Sequence, residues 1–212
     1  KNLTETFQIP LQRISVNRLG VALPDTRYQK QDAHSPYLLY VGQAFPRRHL
    51  YETILAFNQL APDFPNLRLV AIGKDKYNPP VIAALLNHKI TYHEYVTEKE
   101  LSRLYAKASA VIYVSEREAF GLPPVEALIY GTPAVVADQP ITREIFGAHA
   151  FFVNIPITAD TIALAIRQAL TDSAKRQAIQ AAAAEILSAY TWPGYTERFL
   201  NICRKIMLHD LH

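Results

Sequence analysis

The feature that most constrains the fold is a regular alternation of short apolar runs with segments whose apolar residues recur at helical spacing. The apolar runs lie at 37–41, 67–72, 90–92, 110–114, 134–137 and 150–153. Strands that alternate with helices predict parallel βαβ units. Runs that are apolar throughout predict a sheet that is covered on both faces.

The predicted fold class is therefore α/β, with a Rossmann-like, doubly wound parallel sheet of about six strands and helices on both faces. A helix is also predicted from Pro80 to Asn87, between the second and third apolar runs. Ligands of such sheets bind at the carboxyl ends of the strands. We therefore expect the loops after Val41, Ile72 and Val114 to meet at one edge of the sheet.

The chain is predicted to have three parts. Residues 1–35 form an opening segment, in which Ile14 to Leu19 is predicted to add one more strand to the sheet. Residues 36–172 are predicted to form the Rossmann-like core, and residues 173–212 are predicted to form C-terminal helices that pack on the core.

Composition excludes several classes of protein. The chain has 212 residues, of which 50% are hydrophobic and 19% charged, so it can bury a sizeable core and is not intrinsically disordered. A net charge of +3 does not by itself indicate a nucleic-acid surface. The single cysteine, Cys203, excludes an internal disulfide and fits a reducing compartment. No segment has the pattern of a membrane-spanning helix or a signal peptide.

One polar segment carries the chemistry. Glu118 precedes a glycine turn at Gly121, and Glu126 is predicted in the first turn of a helix that begins at Pro123-Pro124. Glycine allows close approach of the backbone to a ligand, and a helix start attracts anions. Two carboxylates beside a phosphate predict a nucleotide sugar. The alternative is that Glu118 is a solvated loop acid and Glu126 only complements the helix dipole.

The sequence of this segment resembles the signature of the retaining glycosyltransferases of family 4, which have the GT-B fold. Their typical run is E-G-F-G-L-P-x-x-E-A-M-A-x-G-x-P-V-V. It stands here as Glu118-Ala119-Phe120-Gly121-Leu122-Pro123-Pro124-Val125-Glu126-Ala127-Leu128, followed by Gly131-Thr132-Pro133-Ala134-Val135-Val136. Two further landmarks of the family are matched by Tyr40-Val41-Gly42 with Pro46-Arg47-Arg48, and by Ile90 to Tyr95 with Leu104-Tyr105.

The start of the chain is similar to the segment that opens the C-terminal domain in this family. The resemblance therefore implies the donor-binding half of a glycosyltransferase, with the N-terminal acceptor domain absent and the chain inactive alone. The parent enzyme would transfer a hexosyl residue, mannosyl or rhamnosyl, to a saccharide or lipid-linked acceptor in polysaccharide synthesis, with retention. The alternative is a catalytically inert nucleotide-binding or assembly domain. A sugar-nucleotide epimerase of the same fold would need a histidine-and-glutamate centre, which the region of Glu118 does not show.

The resemblance also implies roles for individual residues. Glu118 and Arg48 are the expected catalytic pair, the former at the transferred sugar and the latter at the diphosphate, assisted by Arg47. Glu126 is expected to bind the ribose. The remaining expected donor contacts are the turn residues Phe120, Gly121 and Leu122, together with Gly42, Gln43, Lys74 and Tyr95.

Two residues depart from the family pattern. Gln43 stands where an arginine is usual, so it cannot supply positive charge, and Glu94 replaces a usual glycine near the base pocket. No metal site is expected, because His49, His93 and His149 lack metal-ligand spacing. The expected ligand is a GDP-, UDP- or dTDP-linked sugar without a further cofactor. The expected location is cytoplasmic, with peripheral membrane attachment of the parent protein left open.

Overall fold

A computed structural model describes residues 3–22, 36–74 and 84–209. The described residues fall into two compact units. One combines residues 3–22 with 188–209, and the other comprises the described residues between 36 and 187.

The larger unit contains a six-stranded sheet in which every pair of neighbours is parallel. The strands are β1 (Tyr37–Val41), β2 (Arg68–Ile72), β3 (Ile90–His93), β4 (Ala110–Tyr113), β5 (Ala134–Ala137) and β6 (Phe151–Val153). Their order across the sheet is β3-β2-β1-β4-β5-β6. This is the doubly wound order, and it confirms the predicted fold class.

Helices connect and flank these strands. Those of the larger unit are α2 (Leu50–Leu60), α3 (Glu98–Lys107), α4 (Leu122–Ile129), α5 (Pro140–Phe146), α6 (Ala159–Thr171) and α7 (Ser173–Ser188), whose last residue belongs to the smaller unit. A single 3-10 turn, Pro46–Arg48, precedes α2. Residues 80–83 of the helix predicted at Pro80 to Asn87 lie outside the described residues, and residues 84–85 are helical.

Burial explains why these segments form a sheet. Every residue of β4 and β5 is buried, as expected of strands with helices on both faces. Leu39 and Val111 pack with Tyr105 of α3 and Ala127 of α4 in one cluster. Right-handed crossovers place the helices of the two halves of the sheet on opposite faces, because the chain runs outward from β1 in one direction and from β4 in the other.

The strand order also sets where a ligand can bind. β1 and β4 are neighbours in the sheet, with Leu39 opposite Val111, although most of the first half of the unit separates them in sequence. The chain leaves these two strands in opposite directions, so a crevice opens beyond their carboxyl ends. The segment after β1 and the loop after β4 therefore face each other across this crevice.

The smaller unit corrects one prediction. Ile14 to Leu19 do not form a strand, and the pairing in this unit is a single bridge between Val21 and Thr191. Val16 is 80% exposed, so the apolar residues of this segment do not line a sheet face. The unit instead comprises α1 (Leu3–Phe7), a 3-10 turn at Leu11–Arg13 and α8 (Trp192–His209).

Polar contacts hold the segment against α8. The side chain of Arg198 donates to Asn17 at 3.1 Å, and Asn17 donates to the carbonyl of Tyr195 at 3.2 Å. Within the described ranges, none of the helices has both the length and the apolar character that crossing a bilayer requires.

Candidate active site

The floor of the crevice is made by two glycines that follow neighbouring strands. Gly42 comes directly after β1 and Gly73 directly after β2, and the N–H of Gly42 donates to the carbonyl of Ile72 at 2.8 Å. A Cβ atom on Gly73 would lie 1.9 Å from the carbonyl oxygen of Gly42. Only glycine fits at Gly73, and its lack of a side chain keeps the edge of the sheet open.

A partly buried ion pair spans the crevice. Nε of Arg48, from the turn after β1, lies 2.9 Å from Oε1 of Glu118, from the loop after β4. The two side chains are only 18% and 17% exposed. Nη1 of Arg48 lies close above Gly42, at 2.8 Å from where a Cβ of that residue would stand. The terminal nitrogens of Arg48 make no hydrogen bond to any residue that the structure describes.

The charges of this pair support each other. Burial by itself would raise the pKa of Glu118, but hydrogen bonds from Arg48, Ser115 and Tyr113 and the charge of Arg48 lower it on balance. Burial would likewise lower the pKa of Arg48, yet the hydrogen bond to Glu118 raises it on balance. Burial raises the pKa of Tyr113 to about 12, so its phenol keeps its proton. Both members of the pair are therefore charged at neutral pH.

Aromatic rings hold the two arginines in place. The guanidinium carbon of Arg47 lies 4.4 Å from the centre of the Phe45 ring, and that of Arg48 lies 5.7 Å from it. Arg48 also lies 5.5 Å from the ring of Tyr113. Two cations over one ring concentrate positive charge at the mouth of the crevice. Gln43 is exposed and adds no charge.

The glycine turn after Glu118 corrects two predictions. Gly121 has a φ of 90° and caps α4, which begins at Leu122. Pro123 and Pro124 then occupy the second and third positions, and neither has an N–H group. Leu122 therefore supplies the one N–H group among the first three positions of α4, and the anion site at this helix start stays a prediction. Glu126 is the fifth residue of α4 and not in its first turn, so that prediction was wrong.

Glu126 is instead held by a buried tyrosine. The phenol of Tyr105, in α3, donates to Oε2 of Glu126 at 2.8 Å. Tyr105 is 2% exposed and stacks on Tyr130 with ring centres 6.1 Å apart. Burial, followed by the charge of Glu126, raises the pKa of Tyr105 well above its ordinary value. The phenol is therefore a permanent donor that aims one carboxylate oxygen.

The loop that carries Glu118 is tethered on two sides. The N–H of Glu116 donates to the carbonyl of Arg47 at 3.0 Å. From the other side, Nε2 of Gln139 donates to the carbonyls of Ser115 and Glu116 at 3.1 and 2.7 Å. The hydroxyl of Ser115 then donates to Oε1 of Glu118 at 3.1 Å. This loop is thus shaped by hydrogen bonds to both neighbouring connections.

The structure does not bring every expected donor residue to the ion pair. Lys74 follows Gly73 at the same edge of the sheet, where it is exposed. Tyr95 lies in the connection after β3 and is 78% exposed. No hydrogen bond, ion pair or ring contact joins either residue to Arg48 or Glu118 in the described part of the chain, so their roles stay predictions. Among the residues described, no three His, Cys, Asp or Glu side chains lie close enough together to hold a metal ion.

Sequence reasoning missed four polar residues of the site. They share the role of holding a predicted residue in place, and they are Tyr105, Tyr113, Ser115 and Gln139. A tyrosine at the carboxyl end of the otherwise aliphatic strand β4 is a signal that could have identified Tyr113. The others depend on which helices and loops become neighbours in the fold.

Comparison with known proteins places the chain in a family. The family model described as "Glycosyl transferases group 1" matches residues 25–186. The O-antigen chain mannosyltransferase RfbU of Salmonella typhimurium is 30% identical over 157 residues, which cover 72% of this chain and 43% of RfbU. The O-antigen chain mannosyltransferase B of Escherichia coli is 30% identical over 178 residues, which cover 81% of this chain and 46% of that protein. The chain spans less than half the length of both relatives.

The fold has solved counterparts among GT-B glycosyltransferases. WaaG, a glycosyltransferase involved in lipopolysaccharide biosynthesis, superposes with a TM-score of 0.70 at 21% identity, over 88% of this chain and 56% of WaaG. The family match covers most of the chain, and the strand order and crevice agree with it. The chain therefore belongs to the glycosyl transferases group 1 family.

Proposed function

We propose that this chain binds the nucleotide-sugar donor of a retaining glycosyltransferase that adds mannosyl residues to a growing polysaccharide. The observation that carries the proposal is Arg48. Its guanidinium is largely buried at the switch point of the sheet, it is oriented through Nε by Glu118, and its terminal N–H groups make no hydrogen bond within the described residues. A guanidinium held in this way is suited to a diphosphate.

The other groups of the crevice fit the rest of such a donor. Arg47 adds a second positive charge beside Arg48, which compensates for the neutral Gln43. Glu126 presents a carboxylate, aimed by Tyr105, to ribose hydroxyls. Glu118, which pairs with Arg48, is proposed to contact the transferred sugar next to the diphosphate. The mannosyl specificity is proposed because the two relatives compared above are named as mannosyltransferases.

In the proposed reaction, negative charge develops on the leaving diphosphate, next to Arg48. The bond between the anomeric carbon and the diphosphate oxygen breaks, and an acceptor hydroxyl oxygen bonds to the same face of that carbon. The hydroxyl proton passes to the departing phosphate oxygen. Arg48 stabilises the charge on the leaving diphosphate, which is the kind of electrostatic term that dominates such chemistry.

Calorimetric titration of this chain tests the proposal. GDP, UDP, dTDP and GDP-mannose are compared on the wild type, Arg48→Ala, Glu126→Ala and a control, Arg68→Ala. Arg68 is an exposed arginine at the first residue of β2, so it lies at the amino-terminal end of the strand and away from the crevice. Losing one charged hydrogen-bonding group is expected to weaken binding by about tenfold or more in the two site variants and not in the control.

Two outcomes would contradict the proposal. One is that none of the four nucleotides binds the folded wild-type chain. The other is that Arg48→Ala binds a nucleotide as tightly as the wild type does, because the buried guanidinium would then have no part in holding a diphosphate.

A further inference from the structure

His49 lies next to Arg48 in an unusual setting. It precedes α2 with a φ of 50° and a ψ of 39°, a left-handed backbone conformation that residues other than glycine rarely adopt. The residue is only 7% exposed. Its Nδ1 lies 3.3 Å from Oε2 of Glu52, and its Nε2 lies 3.2 Å from Oε1 of Glu116. Neither nitrogen reaches a well-aligned hydrogen bond with the described residues.

Packing alone does not account for this arrangement. A buried imidazole whose nitrogens lack aligned partners is destabilising, and so is a left-handed backbone at a residue with a Cβ atom. Both costs fall on His49. Such costs concentrated at one position beside a crevice are typical of a residue kept for the site.

The contacts of His49 show what it joins. Its ring nitrogen faces Glu116, which is two residues before Glu118, and its backbone directly follows Arg48. The backbone of Glu116 is bonded to the carbonyl of Arg47, so the two segments are already adjacent there. The imidazole adds a side-chain contact between the same two segments. It therefore connects the turn that carries Arg48 with the loop that carries Glu118.

We infer that His49 is a positioning residue for the donor diphosphate. By facing Glu116, it fixes the loop of Glu118 against the turn of Arg48 and so sets the ion pair whose terminal guanidinium N–H groups receive the phosphates. In this role it acts through Glu116 and not by contact with the substrate. The inference rests on the proposed function for the identity of the ligand, but the ion pair that His49 orders is formed by this chain's own residues.

The variants are chosen to spare the fold. His49→Gly removes the ring and keeps the left-handed backbone, which glycine adopts without strain. Glu116→Ala removes the other partner of the contact, at a side chain that is 62% exposed. Glu52→Gln is the matched control, because Glu52 faces the other ring nitrogen and lies on α2, away from the Glu118 loop.

Binding of GDP and of GMP to each variant separates positioning from general damage. His49→Gly and Glu116→Ala are expected to weaken GDP binding by about two- to fivefold, the effect of losing a partly exposed polar contact. GMP is expected to change less than about twofold, because its ribose is held by Glu126, whose partner Tyr105 has no contact with His49. Glu52→Gln is expected to bind both nucleotides like the wild type.

A second readout needs no nucleotide. The Arg48 Nε–H group donates to Glu118 and so is expected to give a protected, shifted nitrogen–proton NMR signal, which Arg48→Ala identifies. This signal is expected to move or vanish in His49→Gly and Glu116→Ala and to remain in Glu52→Gln. An unchanged signal in His49→Gly would overturn the inference. Equal losses of GDP and GMP binding would also overturn it. Absence of nucleotide binding by the wild type would contradict the proposed function, and the NMR signal would still decide the role of His49.

Discussion

Replacing Tyr105 by phenylalanine tests how the crevice aims its second carboxylate. The substitution removes one oxygen atom and keeps the ring that stacks on Tyr130. The lost hydrogen bond is the 2.8 Å contact from the phenol to Oε2 of Glu126. The backbone carbonyl of Tyr105 still accepts from the hydroxyl of Thr132 at 2.7 Å. The change is therefore confined to the orientation of one carboxylate.

The structure sets the size of the effect. A hydrogen bond to a charged group contributes about 1.5–3 kcal/mol to stability. Glu126 is partly exposed, so water replaces part of the lost contact, and the lower end of the range, about 1.5 kcal/mol, is the better expectation. If all of this free energy serves to orient the Glu126 carboxylate toward the ribose, its loss lowers the affinity for a nucleotide by about tenfold.

Calorimetric titration with GDP and denaturation in urea measure the two consequences. Tyr37→Phe is the control, because its phenol also makes a hydrogen bond, to the carbonyl of Leu104 at 2.7 Å. Tyr37 begins β1, at the edge of the sheet opposite the crevice. We expect both variants to lose stability and only Tyr105→Phe to lose affinity.

Either of two results would refute this reasoning. If Tyr105→Phe binds GDP as tightly as the wild type while Glu126→Gln does not, Glu126 contacts the nucleotide without help from Tyr105. If both variants bind like the wild type, Glu126 is not part of the donor site.

Three further predictions concern the ion pair and its surroundings. Because the pKa of Glu118 is lowered in the folded chain, its pairing stabilises the fold above the ordinary value of 4.5 and this contribution is lost as the pH falls toward the lowered pKa. Urea denaturation from pH 7 to pH 3 is thus expected to show a smaller acid loss in Glu118→Gln than in the wild type, and equal slopes would argue against a native ion pair. Gly73→Ala places a methyl group against the carbonyl of Gly42 and is expected to destabilise the chain by about 3 kcal/mol or more, with an unshifted urea midpoint as the contrary result. Phe45→Leu removes the ring beside Arg48 and is expected to weaken GDP binding by about two- to fivefold, measured by calorimetry, with unchanged binding as the contrary result.

The fold could be predicted because its strands carry their own evidence. Segments such as Ala110–Tyr113 are apolar throughout, and that pattern is stable only in a sheet covered on both faces. The strand predicted at Ile14 to Leu19 is absent for the opposite reason, because apolar residues of this segment are exposed. Leu19 is among the exposed apolar residues of that segment, and Asn17 is held by Arg198, a residue far away in sequence.

The site could be predicted only in part. The order of the strands brings Arg48 and Glu118 together, so their proximity follows from topology and from the two loops. The start of α4 depends on the left-handed turn at Gly121, and a helix that begins one residue earlier than predicted places Glu126 at its fifth position, beyond the first turn. Its contact with Tyr105 joins two helices, and local sequence carries no record of such a contact.

The separation of the two charges along the chain has a consequence for folding. Arg48 and Glu118 are 70 residues apart in sequence, and they meet only when β1 and β4 have paired across the middle of the sheet. Contacts this distant carry a large loop-closure entropy and form late. Nucleotide binding is thus expected to appear last during refolding, after most of the helical signal has returned. A ligand added to the refolding chain would then bind, and stabilise, only molecules that have already joined the two halves of the sheet.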